Sequence, residues 1–201
     1  YNGAAVGSIK LINGGAINMS GSESTGIAGD FATITNKAAG IITISGNKST
    51  GIFSANGSQT KNSGTINVNT TGTGNSAVGI YGSNNFGSSA ATYGDKKINI
   101  TNEGNIKYNG SASSDGIGIY VKNDNTNKSD AVITLNGNSN IDMTGSKSGV
   151  GIFANNGLIN ISAGKIKAGA NITGIYAENG TEISTTGGIV DIYEKGVGVY
   201  L

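Results

Sequence analysis

Short segments in which apolar and polar residues alternate recur along the whole chain, and Gly, Asn or Ser separates one segment from the next. Alternation with period 2 predicts β-strands, and no long stretch shows the 3.6-residue period of an amphipathic helix. One motif consists of Gly, then Ile or Val, then usually an aromatic residue. Its seven copies are Gly26-Ile27-Ala28, Gly51-Ile52-Phe53, Gly79-Ile80-Tyr81, Gly118-Ile119-Tyr120, Gly151-Ile152-Phe153, Gly174-Ile175-Tyr176 and Gly198-Val199-Tyr200.

The spacing of this motif defines a structural repeat. Successive copies begin 25, 28, 39, 33, 23 and 24 residues apart, so the basic unit has about two dozen residues and the longer intervals contain insertions. Midway through each interval lie two further alternating segments around a Gly, most clearly over Ile98–Tyr108. Three strands in such a unit fit one coil of a parallel β-helix, in which each strand pairs with its equivalents one coil above and below. We therefore predict an all-β fold: a right-handed parallel β-helix of about seven to eight coils of three short strands, forming a single segment over residues 1–201.

The alternation around the motif also predicts which side chains face inward. At the fourth copy it separates an aliphatic set from a set of Gly, Tyr and Lys, namely Ile117, Ile119 and Val121 against Gly118, Tyr120 and Lys122. Because lysine is rarely buried without a partner, we expect the aliphatic set inside and the Gly and aromatic positions outside. The outward rings then form one column along the rod: Phe53, Tyr81, Tyr120, Phe153, Tyr176 and Tyr200.

This aromatic column has two interpretations. Stacked rings on a sheet stabilise neighbouring strands by about 0.5–1 kcal/mol per pair, so the column is explained by stability alone. Alternatively, the column is an exposed apolar strip that binds sugars or another rod.

The small and polar residues fit the corners of such a coil. Gly accounts for 35 of the 201 residues and supplies tight turns. Asn13, Asn62 and Asn102 recur at one corner, where inward amide side chains can stack as a ladder that satisfies backbone groups. The absence of Pro agrees with strands that pair on both edges.

Three insertions are predicted to form loops, at residues 82–97, 110–115 and 122–130. Loops on a regular scaffold often carry binding residues, although functionless surface loops are the alternative. The first loop is the best candidate because it holds two amides and two aromatic rings that can anchor a partner: Asn84, Asn85, Phe86 and Tyr93. The third loop offers oxygen ligands at Asp124, Asn125, Asn127 and Asp130, but it lacks the Gly and final Glu of a calcium-binding EF-hand loop.

Composition excludes several classes of function. The chain has no Cys, His, Pro or Trp, and all 13 of its cationic residues are Lys. Disulfides, thiolate nucleophiles, His-dependent triads and ordinary zinc sites are therefore excluded, and we expect no cofactor and no metal. The net charge of +1 predicts no attraction to nucleic acid. No apolar run reaches the roughly 18 residues of a transmembrane helix, so we expect no membrane insertion by this segment.

The coils resemble a known family. Gly151–Gly157 and Gly174–Gly180, each followed by a segment with alternating Ile, resemble the passenger domains of large type V autotransporters, in particular the fusobacterial outer-membrane adhesins. This resemblance covers essentially the whole chain and implies a segment of a longer β-helical rod displayed on the bacterial surface. It implies an anchor in the outer membrane through a domain outside these residues, and adhesion to a glycan or protein on host or bacterial cells. We expect a monomer, with side-by-side or end-to-end association of rods as the alternative.

Two other functions remain as alternatives to a non-enzymatic adhesin segment. The first is a structural stalk whose binding site lies elsewhere on the full protein. The second is a polysaccharide-degrading enzyme, because many parallel β-helices degrade polysaccharides and a carboxylate pair alone can hydrolyse a glycosidic bond. Asp142 and Asp191 are the candidate pair, on outward positions about two coils apart, and solvated surface carboxylates are the simpler interpretation of both.

Overall fold

The computed structural model describes residues 9–70, 76–86, 96–109 and 115–201. These residues form three sheets of seven strands each. Sheet A contains β1 (Ile9–Asn13), β4 (Ala32–Asn36), β7 (Gln59–Asn62), β10 (Ile98–Asn102), β13 (Ala131–Leu135), β16 (Leu158–Ile161) and β19 (Glu182–Thr185). Sheet B contains β2 (Ala16–Met19), β5 (Ile41–Ile44), β8 (Thr65–Val68), β11 (Asn105–Tyr108), β14 (Asn140–Asp142), β17 (Lys165–Ala168) and β20 (Ile189–Ile192). Sheet C contains β3 (Thr25–Asp30), β6 (Thr50–Ala55), β9 (Ala77–Ser83), β12 (Asp115–Lys122), β15 (Ser148–Asn155), β18 (Ile172–Glu178) and β21 (Val197–Tyr200).

The chain visits the three sheets in turn, and each strand pairs in parallel with the strands three places earlier and later in the sequence. This order is that of a parallel β-helix of seven coils with three strands per coil, which confirms the predicted fold. Strands of adjacent coils lie about 4.8 Å apart, so equivalent residues stack at that spacing along the rod.

The core includes a column of mainly Ile side chains from each sheet, with further buried apolar positions beside it. In sheet B the column is Ile17, Ile42, Ile66, Ile106, Ile141, Ile166 and Val190, in register from coil to coil. In sheet C it is Ile27, Ile52, Ile80, Ile119, Ile152, Ile175 and Val199. The members in the middle coils are completely buried. Equivalent residues of successive coils therefore stack, and each Ile packs against its equivalents in the coils above and below.

The predicted asparagine ladder is confirmed at the corner between sheets A and B. The side-chain amide of Asn13 donates to Asn36 at 2.9 Å, that of Asn36 to Asn62 at 2.8 Å, and that of Asn62 to Asn102 at 2.7 Å. Asn102 continues the ladder by donating to the hydroxyl of Ser139 at 2.6 Å. Since these side chains are buried, the ladder satisfies polar groups that would otherwise be costly inside the rod.

The predicted orientation of the repeated Gly was wrong. Gly118 is buried and faces the interior together with Ile119, whereas Ile117 is half-exposed. The pairing of β12 with β15 passes directly from Ile117 to Ile119, so the strict alternation is interrupted at the Gly. A Cβ at this Gly would lie 2.5 Å from the carbonyl oxygen of Gly151 and 2.7 Å from Ile141 Cγ2.

The same close approach recurs from coil to coil and defines a glycine column. A Cβ on each of these residues would lie 2.5–2.7 Å from the carbonyl oxygen of the next, for Gly26, Gly51, Gly79, Gly118, Gly151 and Gly174. The repeat therefore requires Gly because there is no space for a side chain between the core Ile column and the adjacent coil.

Candidate binding surface

The outer face of sheet C carries the predicted aromatic column. Ring centroids lie 5.2 Å apart for Phe53 and Tyr81, and 5.0 Å apart for Tyr81 and Tyr120. The upper part of the column continues at 4.9 Å from Tyr120 to Phe153, 4.9 Å from Phe153 to Tyr176 and 5.0 Å from Tyr176 to Tyr200. The first five rings are half-buried, because much of each ring is covered by its neighbours in the column, and Tyr200 is exposed. Burial is the largest influence on the hydroxyl of Tyr120 and raises its pKa.

A second outward column lies beside the rings and was not predicted. It consists of Thr25, Thr50, Val78, Ile117, Val150, Thr173 and Val197. These side chains face outward because the Gly and the Ile after it both face the interior, so the alternation shifts by one residue and the residue before each Gly lies on the outer face. The sequence contained a signal for this orientation, since three of the seven copies have Thr where a buried aliphatic side chain was expected. The rings and this β-branched column together form an apolar strip.

Polar and charged side chains border the strip on the other side of the rings. Lys122, Asn155 and Glu178 are in register two residues after the rings of their coils. The amide of Asn155 donates to Glu178 Oε1 at 2.6 Å. Lys122 lies 3.2 Å from Asp124 Oδ2, and this contact is the main reason that the pKa of Lys122 is raised. The sheet C face thus has an apolar strip with a polar edge that includes both signs of charge.

The first insertion adds a ring to the column. Phe86 is 52% exposed and contacts Phe53 edge to face, with centroids 4.7 Å apart. The amide of Asn56 holds its backbone, since Phe86 N–H donates to Asn56 Oδ1 at 3.2 Å and Phe86 O accepts from Asn56 Nδ2 at 3.2 Å. One loop side chain and the strand rings therefore belong to the same surface.

The other candidate residues of this insertion have different positions. Asn84 is completely buried, where it donates to Asn123 and accepts from the N–H of Asp124, so we leave it out of the binding surface. Asn85 is exposed and donates to Asp124 at 3.3 Å. Tyr93, like residues 110–114 of the second insertion, lies outside the described residues.

The third insertion uses its polar side chains to stabilise its own fold. Asn125 donates to Asp130 Oδ2 at 3.0 Å, and Asn127 accepts from the N–H of Ser129 at the start of a short 3-10 turn. Among the residues that the structure describes, no group of three or more Asp, Glu, His or Cys side chains is placed to hold a metal ion.

The candidate carboxylate pair lies on the outer face of sheet B, where Asp191 is half-exposed but Asp142 is buried, so the interpretation of both as solvated surface carboxylates was wrong for Asp142. Asp142 and Asp191 are in register two coils apart, with Lys167 between them, as the sequence predicted. Burial would raise the pKa of Asp142, but hydrogen bonds from Thr144 and Lys167 outweigh it and the net pKa is lowered. A hydrogen bond from Lys165 lowers the pKa of Asp191. Glycoside hydrolysis needs one carboxyl whose pKa is raised, so this pair gives the enzyme hypothesis no support.

The comparisons with known proteins do not assign the chain to a family. No family model matches it, and neither the curated proteins nor the solved structures give a match. Among the described residues, no helix is long and apolar enough to cross a membrane. The function therefore has to be argued from the surface itself.

Proposed function

We propose that the chain is a non-enzymatic segment of a bacterial surface adhesin of the autotransporter type, and that it binds a glycan or protein of another cell through the outer face of sheet C. The observation that carries the proposal is the apolar strip of sheet C. Aromatic side chains account for only 6% of the sequence, yet six stand in one outward column and a loop ring joins them. Exposed apolar strips with polar edges are typical of interaction sites.

The resemblance to autotransporter passengers supports the cellular location in this proposal. A rod of stacked coils folds through contacts between neighbouring coils, which suits a chain that emerges progressively at a cell surface. The absence of Cys agrees with such export, since no disulfide can form before the chain emerges.

A second candidate function is that of a structural stalk, and the ring geometry favours it. Phe153 and Tyr176 are nearly parallel, with an interplanar angle of 10°, and so are Tyr176 and Tyr200. The faces of these three rings contact one another, so this part of the column presents ring edges and hydroxyls to a partner. Such contacts stabilise the rod by about 0.5–1.5 kcal/mol per pair. Such a column would stabilise a structural stalk even if the stalk binds no ligand.

The experiment that separates the two functions changes Tyr120 and Tyr176 to Ser together. Binding of the purified chain to whole host or bacterial cells is measured beside thermal unfolding. A matched control replaces Thr65 and Lys107 by Ser on the outer face of sheet B, which is remote from the strip. If the chain is an adhesin segment, the Tyr pair loses cell binding by at least tenfold while the control does not. Loss of stability with unchanged binding, or no binding by the unmodified chain, supports the stalk instead.

A further inference from the structure

A groove that the sequence analysis did not identify lies at the corner between sheets B and C, over the last three coils. Its volume is about 470 Å³, within the range of small-molecule sites. The shape follows from unequal turns. Residues 143–147 connect β14 to β15 and residues 193–196 connect β20 to β21, but only residues 169–171 connect β17 to β18. The short middle turn, with the small residues Gly169 and Ala170, forms a low floor between two longer turns.

One wall of the groove carries an aromatic ring unlike those of the column. Tyr193 is 43% exposed, and within the described ranges its ring contacts no other aromatic ring. Its hydroxyl donates to Asp191 Oδ2 at 2.8 Å, which holds the ring in place. Asp191 also accepts from Lys165 at 2.6 Å, and these two hydrogen bonds keep the carboxyl ionised by lowering its pKa. The groove therefore contains a fixed ring whose face is not covered by a second ring.

The polar groups of the groove are balanced in charge and available to a ligand. Lys147 lies on one wall, Glu194 on the other and Asn171 on the middle turn, and all three are exposed. In the described part of the chain, none of these three side chains forms a hydrogen bond or ion pair with another residue. Lys147 and Asn171 can donate, while Glu194 and the amide oxygen of Asn171 can accept.

This combination selects a class of ligand. A pyranose has an apolar face of C–H groups that packs on an uncovered aromatic ring, and hydroxyls that both donate and accept around its rim. The single positive and single negative group cancel, so the groove has no net attraction for an anion. Besides the ring, Gly169, Ala170 and the aliphatic parts of Thr144 and Lys147 supply apolar surface, and a purely hydrophobic ligand would leave the polar groups of the lining without partners.

We propose that this groove binds one neutral pyranose unit of a surface glycan. The inference rests on the proposed adhesive function and gives it a ligand class and a second location, since the groove lies beside the apolar strip and not on it. The ring of Tyr193 packs against the sugar, and Lys147, Asn171 and Glu194 form hydrogen bonds with its hydroxyls.

The experiment titrates the whole chain with neutral hexoses and N-acetylhexosamines, with sialic acid as the anionic comparison, and follows backbone amides by NMR. We expect a neutral sugar to shift the amides of residues 144–147, 169–171 and 193–194. Tyr193→Ala should lower the affinity for that sugar at least tenfold, whereas Tyr193→Phe should retain most of the affinity because the ring remains. Gly169→Leu should block the groove by filling its floor, and a Cβ there meets only Thr144 Cα at an ordinary 3.7 Å, so this variant is expected to fold.

The outcomes separate this inference from the proposed function. If no neutral sugar shifts the groove amides, or sialic acid binds more tightly than every neutral sugar, the inference is overturned. Binding to cells that is lost in the Tyr120 and Tyr176 variant but is unchanged in Tyr193→Ala and Gly169→Leu also overturns it, and leaves the proposed adhesin function standing. The opposite pattern, with loss only in the groove variants, supports the groove as the site of glycan recognition.

Discussion

Replacing Gly118 by Ala tests the claim that the glycine column is a steric requirement of the fold. The added methyl group would lie 2.5 Å from the carbonyl oxygen of Gly151 and 2.7 Å from Ile141 Cγ2. The first neighbour is backbone of the next coil and the second is a completely buried core side chain, so neither can move without disturbing packed structure. Overpacking of this kind costs about 1–3 kcal/mol, and the close backbone contact places this variant at the upper end of that range.

The measurement is urea unfolding followed by far-ultraviolet circular dichroism, with thermal unfolding as a second readout. For a chain of this size, each kcal/mol lost lowers the melting temperature by about 2–4 °C. Gly169→Ala is the matched control, because its Cβ would lie 3.7 Å from the nearest atom and its backbone is outside the positive-φ region. Restricting the unfolded chain is expected to make that variant neutral or slightly more stable.

Hydrogen exchange adds a local test of the same reasoning. In a solenoid each coil contacts mainly its neighbours, so protection in Gly118→Ala should fall first in β12 and β15. If Gly118→Ala is as stable as Gly169→Ala, the column does not exclude side chains and the explanation of the repeat is incorrect. Uniform destabilisation of all coils would refute the local origin of the effect.

Three further predictions concern buried and paired polar groups. Asn62→Ala removes the donor to Asn102 Oδ1 and an acceptor of the Asn36 amide, which keeps only a hydrogen bond of 3.4 Å to Gly40 O, and this should lower the unfolding free energy by about 2–4 kcal/mol in urea. Burial raises the pKa of Tyr108, so the wild type should lose stability as the pH rises above about 10, where the unfolded tyrosine ionises. Tyr108→Phe should lose less stability over this range, with some loss remaining because burial also raises the pKa of Tyr120, and equal alkaline slopes for the two proteins would contradict the prediction. The lowered pKa of Asp142 stabilises the fold above about pH 4 and this contribution disappears as the pH falls through the folded value, so Asp142→Asn should lose less stability in acid than the wild type does.

Most of the fold could be predicted from the sequence because the same pattern of residues recurs in each coil. Seven copies of one motif defined the coil, and the spacing of Asn62 and Asn102 in equivalent positions predicted the ladder. Equivalent residues of successive coils pair with one another, so they stack in register. The aromatic column could therefore be predicted from the length of the repeat and from which face of the strand points outward. Lys122 and Glu178 indicated the outward face, because their charges are costly to bury unpaired, and the rings do lie on that face.

The orientation of Gly118 could not be obtained from alternation alone. A period of 2 extended through the motif places Gly opposite Ile, but a residue without Cβ can face inward where a neighbouring coil approaches too closely for any side chain. The recurrence of Gly in all seven copies was the available signal, since an outward position next to the rings tolerates many residue types. The β-branched column was missed for the same reason, because its direction depends on the Gly and the following Ile both facing inward.

The groove was missed for a different reason, which explains where specific function arises in such a rod. Repeating positions are occupied by the Ile columns and the glycine column along the rod, and by the asparagine ladder over the first four coils, and each is constrained by the equivalent position above and below. These positions are buried, and a ligand that contacts only the repeated rings on the outer face of sheet C would find a similar surface on each of those coils. Asymmetry enters where successive coils differ, as in the short turn at Gly169 between two longer turns and in the insertion that brings Phe86 onto the column. Selective recognition should therefore concentrate at turns and insertions, while the repeated face supplies area and stability.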